Sequence, residues 1–131
     1  MATVSARLAD WLERELRAFW QEHGDDPSTG LRRVAEEWWA MQRFPAIEFR
    51  DGVTGRRAAL RDGPDVWEVA MVARDYRDDV DGLVAHFGGL VPREALAQAL
   101  AYAERFAEEV AGRVAENERV GRSLAGHAER R

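Results

Sequence analysis

The sequence predicts a small, mainly α-helical protein. Two N-terminal helices forming a hairpin come first, then a short β-hairpin, then a three-helix, helix-turn-helix-like unit with a long C-terminal helix. Three observations carry this. Apolar residues recur at spacings of three and four along most of the 131 residues, the period of a helix that buries one face. Only residues 46–61 depart from it, into short apolar alternation around a Gly-containing loop. Gly24, Pro45, Pro64 and Gly88-Gly89 punctuate the chain between these stretches.

Residues 5–23 read as an amphipathic helix, with Leu8, Trp11, Leu12, Leu16, Phe19 and Trp20 on one face. Gly24 stops it, and the polar run Asp25-Asp26-Pro27-Ser28-Thr29-Gly30 makes the turn. A second helix starts near Gly30 and carries Leu31, Val34, Ala35, Trp38 and Trp39. Pro45 bars its extension, because proline disfavours helical geometry in the preceding Phe44. Ile47 and Phe49, then Ala58 and Leu60, flank Asp51-Gly52-Val53-Thr54-Gly55 as two short strands. Such a hairpin needs a helix or a second chain against it.

Pro64 suits a first helical turn, and Val66, Trp67, Val69, Ala70, Val72 and Ala73 follow as a wide apolar face. After a polar break at residues 75–79, a short helix over 80–87 ends at Gly88-Gly89. Pro92 then opens the longest helix, over 93–119, striped by Leu96, Ala99, Leu100, Ala103, Phe106, Val110 and Val114. Glu109 with Arg113 is expected on its solvated side. Residues 121–131 are apolar-poor and expected to fray. The organisation that follows is a partner-binding segment over 1–45, a helix-turn-helix-like domain over 46–120, and a tail.

With 46% hydrophobic and 33% charged residues, the composition is that of a globular chain. The absence of cysteine rules out disulfides and thiolate metal sites. No stretch has the form of a signal peptide or the length of a membrane span, so a cytoplasmic protein with no membrane partner is expected. All 19 basic residues are arginine. GC-rich coding explains that as well as selection for bidentate phosphate or carboxylate contacts does. The net charge of −5 argues against indiscriminate nucleic-acid binding. A local basic face remains open, since residues 50–61 hold four arginines against the single acid Asp51.

Residues 80–100 follow a helix-turn-helix plan. Ala85 would allow close crossing, Gly88 or Gly89 would supply positive φ, and Leu90, Ala95 and Ala99 would pack inward. Arg93, Glu94 and Gln98 would then face outward, able to reach phosphates or base edges. The same pattern also describes an ordinary helical hairpin.

Catalysis has little to stand on. His23, His86 and His127 lie in separate segments, and Glu36-Glu37 and Glu108-Glu109 point to different helix faces. Ser5, Ser28 and Ser123 fall in a lead-in, a turn and a tail, and Gly88-Gly89 lacks the lysine of a phosphate loop. No nucleophile, base and oxyanion set emerges; no enzyme activity, metal or cofactor is expected. Four of the five tryptophans fall within the first 39 residues. Trp11, Trp20, Trp38 and Trp39 are either the core of the helical hairpin or a partner-binding set, since tryptophan is enriched at interface hot spots.

Gly55-Arg56-Arg57, the run from Arg61 to Trp67, and Ala99-Leu100-Ala101-Tyr102-Ala103 with Glu108-Glu109-Val110 downstream give the chain a further likeness. Over about two thirds of its length, from Arg33 to Arg119, it resembles the bacterial domain-of-unknown-function 433 family, some of whose members are described as VapB-type antitoxins. It departs from the family at Gly63-Pro64-Asp65, where a Gly-Thr-Arg triplet is usual, and in a turn before Pro92 that is one residue longer. The resemblance implies an antitoxin-like or regulatory protein, with a cognate toxin and operator DNA as partners. Together with the basic window and the turn, it assigns Arg56, Arg57 and Arg61 to phosphates, and Arg93 and Gln98 to the groove. The unpaired strands and the Ala-rich stripe over 96–114 add the expectation of a homodimer. The alternative is a structural, homo-oligomerising interaction domain that touches no nucleic acid.

Overall fold

A computed structural model describes residues 1–77 and 79–129, with the backbone alone at 127–129; Asp78, the His127 side chain and the last two arginines lie outside the described residues. The chain is mainly helical: two N-terminal helices, a two-stranded antiparallel hairpin, then four helices ending in a long one. It divides into two compact units, Met1–Trp39 and Ala40–Arg131, with the division inside the second helix.

In the first unit, α1 (Asp10–Glu22) starts later than the apolar periodicity suggests. Its first turn carries Asp10 and Glu13, which favour the positive end of the helix dipole. Gly24 takes a positive φ of 71° after the helix end, as expected of a stop. α2 (Pro27–Arg43) begins three residues earlier than anticipated, with proline at its first position, where a missing N–H costs nothing. The Asp26 carboxylate accepts from the Thr29 N–H at 2.8 Å and closes that end. The same backbone hydrogen bond, ahead of the Thr29 side chain, holds the Asp26 carboxyl below its ordinary value. An Arg33–Asp25 ion pair clips α2 back to the turn.

In the second unit, β1 (Ile47–Arg50) and β2 (Arg57–Leu60) pair antiparallel, Ile47 opposite Leu60 and Phe49 opposite Ala58. β2 does not alternate. Ala58, Ala59 and Leu60 are all buried, because the chain folds back on the far edge through a bridge from Ala59 to Asp65 and a bond from the Leu60 N–H to the Pro64 carbonyl. The hairpin has the helical support that two strands need: α3 (Val66–Asp75) and α5 (Arg93–Arg105) both lie against it. The core joins Ile47 and Leu60 to Val66, Val69, Leu83, Leu96, Tyr102 and Val110.

α4 (Val80–His86) is capped by the Asp79 side chain and closes on Gly88 and Gly89, both at positive φ. The expected inward residues of this region are partly corrected. Ala85 is exposed and Leu90 is 89% exposed, while Leu83 and Val91 are buried. The small residue at a close approach is Gly82, where a Cβ would come within 2.6 Å of the Tyr76 ring. Ala99 is buried as expected.

The anticipated 93–119 helix is two helices. α5 ends at Arg105, with Phe106 (φ −118°, ψ 48°) as its C-cap, and α6 (Ala107–Glu129) continues beyond Arg119 through the stretch expected to fray. No proline or glycine sits at the break, so nothing local announced it. Phe106 instead leaves helical geometry while tilted against Tyr102, at 4.6 Å between ring centroids. Both α5 and α6 then lie on α3. Among the described residues, no helix is long and apolar enough to cross a membrane.

Candidate interaction surfaces

Two surfaces were legible as candidates: the tryptophan-bearing helices, and the arginines around the hairpin and the α4–α5 turn. In the first unit Trp20 alone of the four tryptophans is buried. Its indole lies so close to Gly30 that a Cβ there would collide with it, which explains why glycine is kept inside α2 despite costing about 1 kcal/mol against alanine. Trp11 is 62% exposed, Trp38 61% and Trp39 42%. Phe19, Leu31 and Val34 are exposed as well. The helical pair buries Trp20 but leaves Trp11, Trp38 and Trp39 partly or largely in solvent, so a hairpin core does not account for those three.

The expected basic face is organised differently. Arg57 is half-buried, and its Nε–H donates to the Asp65 carboxylate. Asp65 is 6% exposed and also accepts from the Trp67 indole N–H at 3.0 Å. That carboxylate therefore does not cap α3, although it stands at the N-cap position. Arg50 donates to the carbonyls of Leu60 (2.6 Å) and Gly63 (3.1 Å) and to Glu48 (2.8 Å). Arg56 pairs with Asp51 at 3.3 Å. Arg61 donates to the Pro45 carbonyl at 3.1 Å and keeps about half its side chain in solvent. Of the basic window, Arg61 presents the most accessible charge.

Beyond the turn, Arg93 is solvent-exposed and paired with Asp81, an ion pair that ties α5 to α4. Gln98 is committed internally. Its Oε1 accepts from the Ala46 N–H at 2.6 Å, and its amide donates to Glu94 at 3.3 Å. It fastens α5 to the residue just before β1, and its amide is not displayed to a groove. Arg113 was expected on a solvated face, paired with Glu109. It instead donates to the carbonyls of Thr54 (2.7 Å) and Arg56 (2.6 Å), while Glu109 accepts from the Tyr102 hydroxyl at 3.3 Å. Arg113 thus pins the hairpin loop to α6. No match with a family, a curated protein or a solved structure was found for the chain.

Sequence reasoning missed Asp65, Glu68 and Arg113. Glu68 is half-buried, and burial first, then the negative charge of Asp65, pushes its carboxyl above the ordinary value. The only signal for the Arg57–Asp65–Trp67 cluster was an aspartate at the start of an apolar helix, which by itself reads as a cap. Among the described residues no group of three or more His, Asp or Glu side chains could hold a metal ion. His86 is engaged with the Tyr76 hydroxyl at 3.2 Å, and His23 with the Phe19 carbonyl at 2.8 Å.

Proposed function

We propose that this chain is a non-catalytic, antitoxin-like or regulatory protein that engages a partner protein through the outer faces of α1 and α2. The observation that carries the reading is the solvent exposure of Trp11 and Trp38, with Leu31 and Val34 beside Trp38 along α2. Large aromatic residues placed this way are the side chains that dominate protein interfaces, and contiguous exposed apolar patches mark interaction sites. The antitoxin-like character rests on the family resemblance in residues 33–119. The product of the neighbouring gene is the natural partner to titrate. Calorimetry of the full chain with that product should give a complex that Trp11→Ala or Trp38→Ala weakens by about 2 kcal/mol or more. Binding that is absent, or unmoved by both substitutions, overturns the reading.

Operator DNA is the second reading. The exposed guanidiniums of Arg61 and Arg93 favour it, and the engagement of Arg57 and Gln98 within the fold leaves it fewer contacts than the sequence offered. Its test is a low-salt gel shift with the DNA upstream of the gene. Arg61→Ala should weaken binding to every sequence and lower the salt slope by about one. No shift with the unaltered chain removes this reading.

A further inference from the structure

One edge of the hairpin is closed and the other is open. The outer edge of β2 is covered by the chain itself, through the Ala59–Asp65 bridge and the bond from the Leu60 N–H to the Pro64 carbonyl. The edge of β1 has no such cover: of the helices and strands of the Ala40–Arg131 unit, only β2 and α5 lie against it. The ladder shows which backbone groups face that edge. The Arg61 N–H donates to the Ala46 carbonyl at 2.9 Å, and Ile47 stands opposite Leu60. The alternation of an antiparallel pair then turns the backbone groups of Glu48 and Arg50 toward β2, and those of Ile47 and Phe49 outward. The Ile47 N–H is taken by the Phe44 carbonyl at 2.9 Å. Among the described residues, nothing bonds the Phe49 N–H or its carbonyl. An unpaired edge of this kind is a template for another strand.

The side chains say which strand. Glu48 and Arg50 stand on either side of Phe49, on the face of β1 opposite to it, and carry opposite charges. They pair with each other at 2.7 Å, and Arg50 also holds the Leu60 and Gly63 carbonyls. A second β1 laid antiparallel on the open edge, with the two-fold axis at Phe49, exchanges both free backbone bonds between the two Phe49 residues. Glu48 of each copy then stands opposite Arg50 of the other. The four charges form a square in which every side joins opposite signs, along each strand and across the axis. Since only alternate residues bond outward, the strands slide by two residues at a time. A slide one way sets Glu48 opposite Glu48, and the other way Arg50 opposite Arg50, both destabilising. Charges on an edge strand ordinarily deter pairing; placed like this, they deter the neighbouring registers and favour one. A strand that satisfies itself is the isologous condition of two-fold dimers.

We propose that the occupant of the β1 edge is a second copy of the chain, joined by antiparallel β1–β1 pairing centred on Phe49. Two hairpins then form one four-stranded sheet, ordered β2–β1–β1–β2. The proposal is independent of the partner reading for α1 and α2. Opposite residues of an antiparallel pair share a face, so α5 of both copies falls on one side of the sheet. The hairpin centres lie two strand spacings apart, about 9.5 Å, which is within the range of about 8–10 Å at which helices pack.

The chain has no cysteine, so introduced thiols report the register directly. Positions 48 and 50 of opposite copies would lie about 4.5 Å apart between Cα atoms, inside the span of a disulfide. Position 48 of one copy and 48 of the other would lie more than about 8 Å apart, beyond it, and so would the two positions 50. Full-length Glu48→Cys and Arg50→Cys chains, mixed and mildly oxidised, should give the 48–50 cross-link in mass spectrometry. Each variant alone should cross-link at least about tenfold more slowly. Sedimentation equilibrium over about 1–200 μM should show the unaltered chain as a reversible dimer. Glu48→Arg should raise its dissociation constant about tenfold with unchanged circular dichroism, because two opposite-charge contacts become two like-charge ones. A monomer at every concentration overturns the proposal. So do 48–48 or 50–50 links that form as fast as the mixed one, and a dimer whose affinity ignores Glu48→Arg. If Arg50→Cys fails to fold, having released the Leu60 and Gly63 carbonyls, the Glu48→Cys chain alone and the Glu48→Arg titration still decide.

Discussion

Replacing Asp65 with alanine probes a buried contact that joins the hairpin to α3. In the native chain this buried carboxylate receives the Arg57 guanidinium and the Trp67 indole N–H. Alanine would leave both donors facing a site with no acceptor. Breaking a buried pair from one side costs about 3–5 kcal/mol. Arg57 keeps 24% of its side chain in solvent, so water recovers part of that loss, and the lower end, about 3 kcal/mol, is expected. For a unit of this size, 1 kcal/mol moves Tm by about 4–8 °C, so thermal unfolding followed by far-UV circular dichroism should fall by roughly 12–24 °C. Asp65→Asn keeps an acceptor but not the charge, and should lie between the two. Arg57→Met combined with Asp65→Leu removes both charges together and should recover most of the loss. If Asp65→Ala lowers Tm by less than about 4 °C, the cluster is not a buried, mutually dependent contact and this reasoning fails. A loss of the expected size bears on the DNA reading as well, since an Arg57 substitution would then weaken any gel shift by destabilising the fold.

Three further outcomes follow from the same geometry. Gln98→Ala deprives the Ala46 N–H of its acceptor, and should cost about 1–2 kcal/mol in urea unfolding; no loss would return Gln98 to the set of residues free to contact a partner. Arg113→Ala should speed amide exchange in the loop around Thr54 while leaving the helices protected, because the guanidinium holds two of that loop's carbonyls. Glu68→Gln should be more stable than the unaltered chain at neutral pH. The folded-state carboxyl titrates above its ordinary value of 4.5, so ionisation costs the folded state stability as pH rises through that raised value. The advantage of glutamine should shrink as pH falls through the same range and vanish below 4.5, where folded and unfolded chains both hold the proton. A difference that is constant with pH would refute the assignment.

The two kinds of signal in this sequence differed in how far they reached. Helix periodicity, proline punctuation and the strand alternation around Gly52 are local, and the order of elements follows from them. The break at Phe106 could not be read, because it has no local cause; the chain leaves helical geometry there as its ring packs on Tyr102. The arginines were harder still. A run of four basic residues between 50 and 61 reads as a patch only if their partners are unknown. Arg57 is drawn in by Asp65, eight residues away, and the hairpin loop just before it is gripped by Arg113, across 59 residues to Thr54. Arginine serves such positions because its planar fork can donate to carbonyls and a carboxylate at once. A basic window in sequence therefore marks either a phosphate-binding face or a set of internal staples, and only the acceptors decide which. For the tryptophans the ambiguity ran the other way. Trp20 and Trp38 look alike in the helical pattern, yet Trp20 lies over Gly30 while Trp38 projects from the outward arc of the same helix that carries that glycine. Two adjacent tryptophans cannot share one flat buried surface, and the helix they sit on points its charged Arg33 and Glu37 toward the less exposed side. That inversion follows from the 3.6-residue period once Gly30 is known to face inward. It is the reason the outer face of α2, and not the basic window, carries the functional proposal.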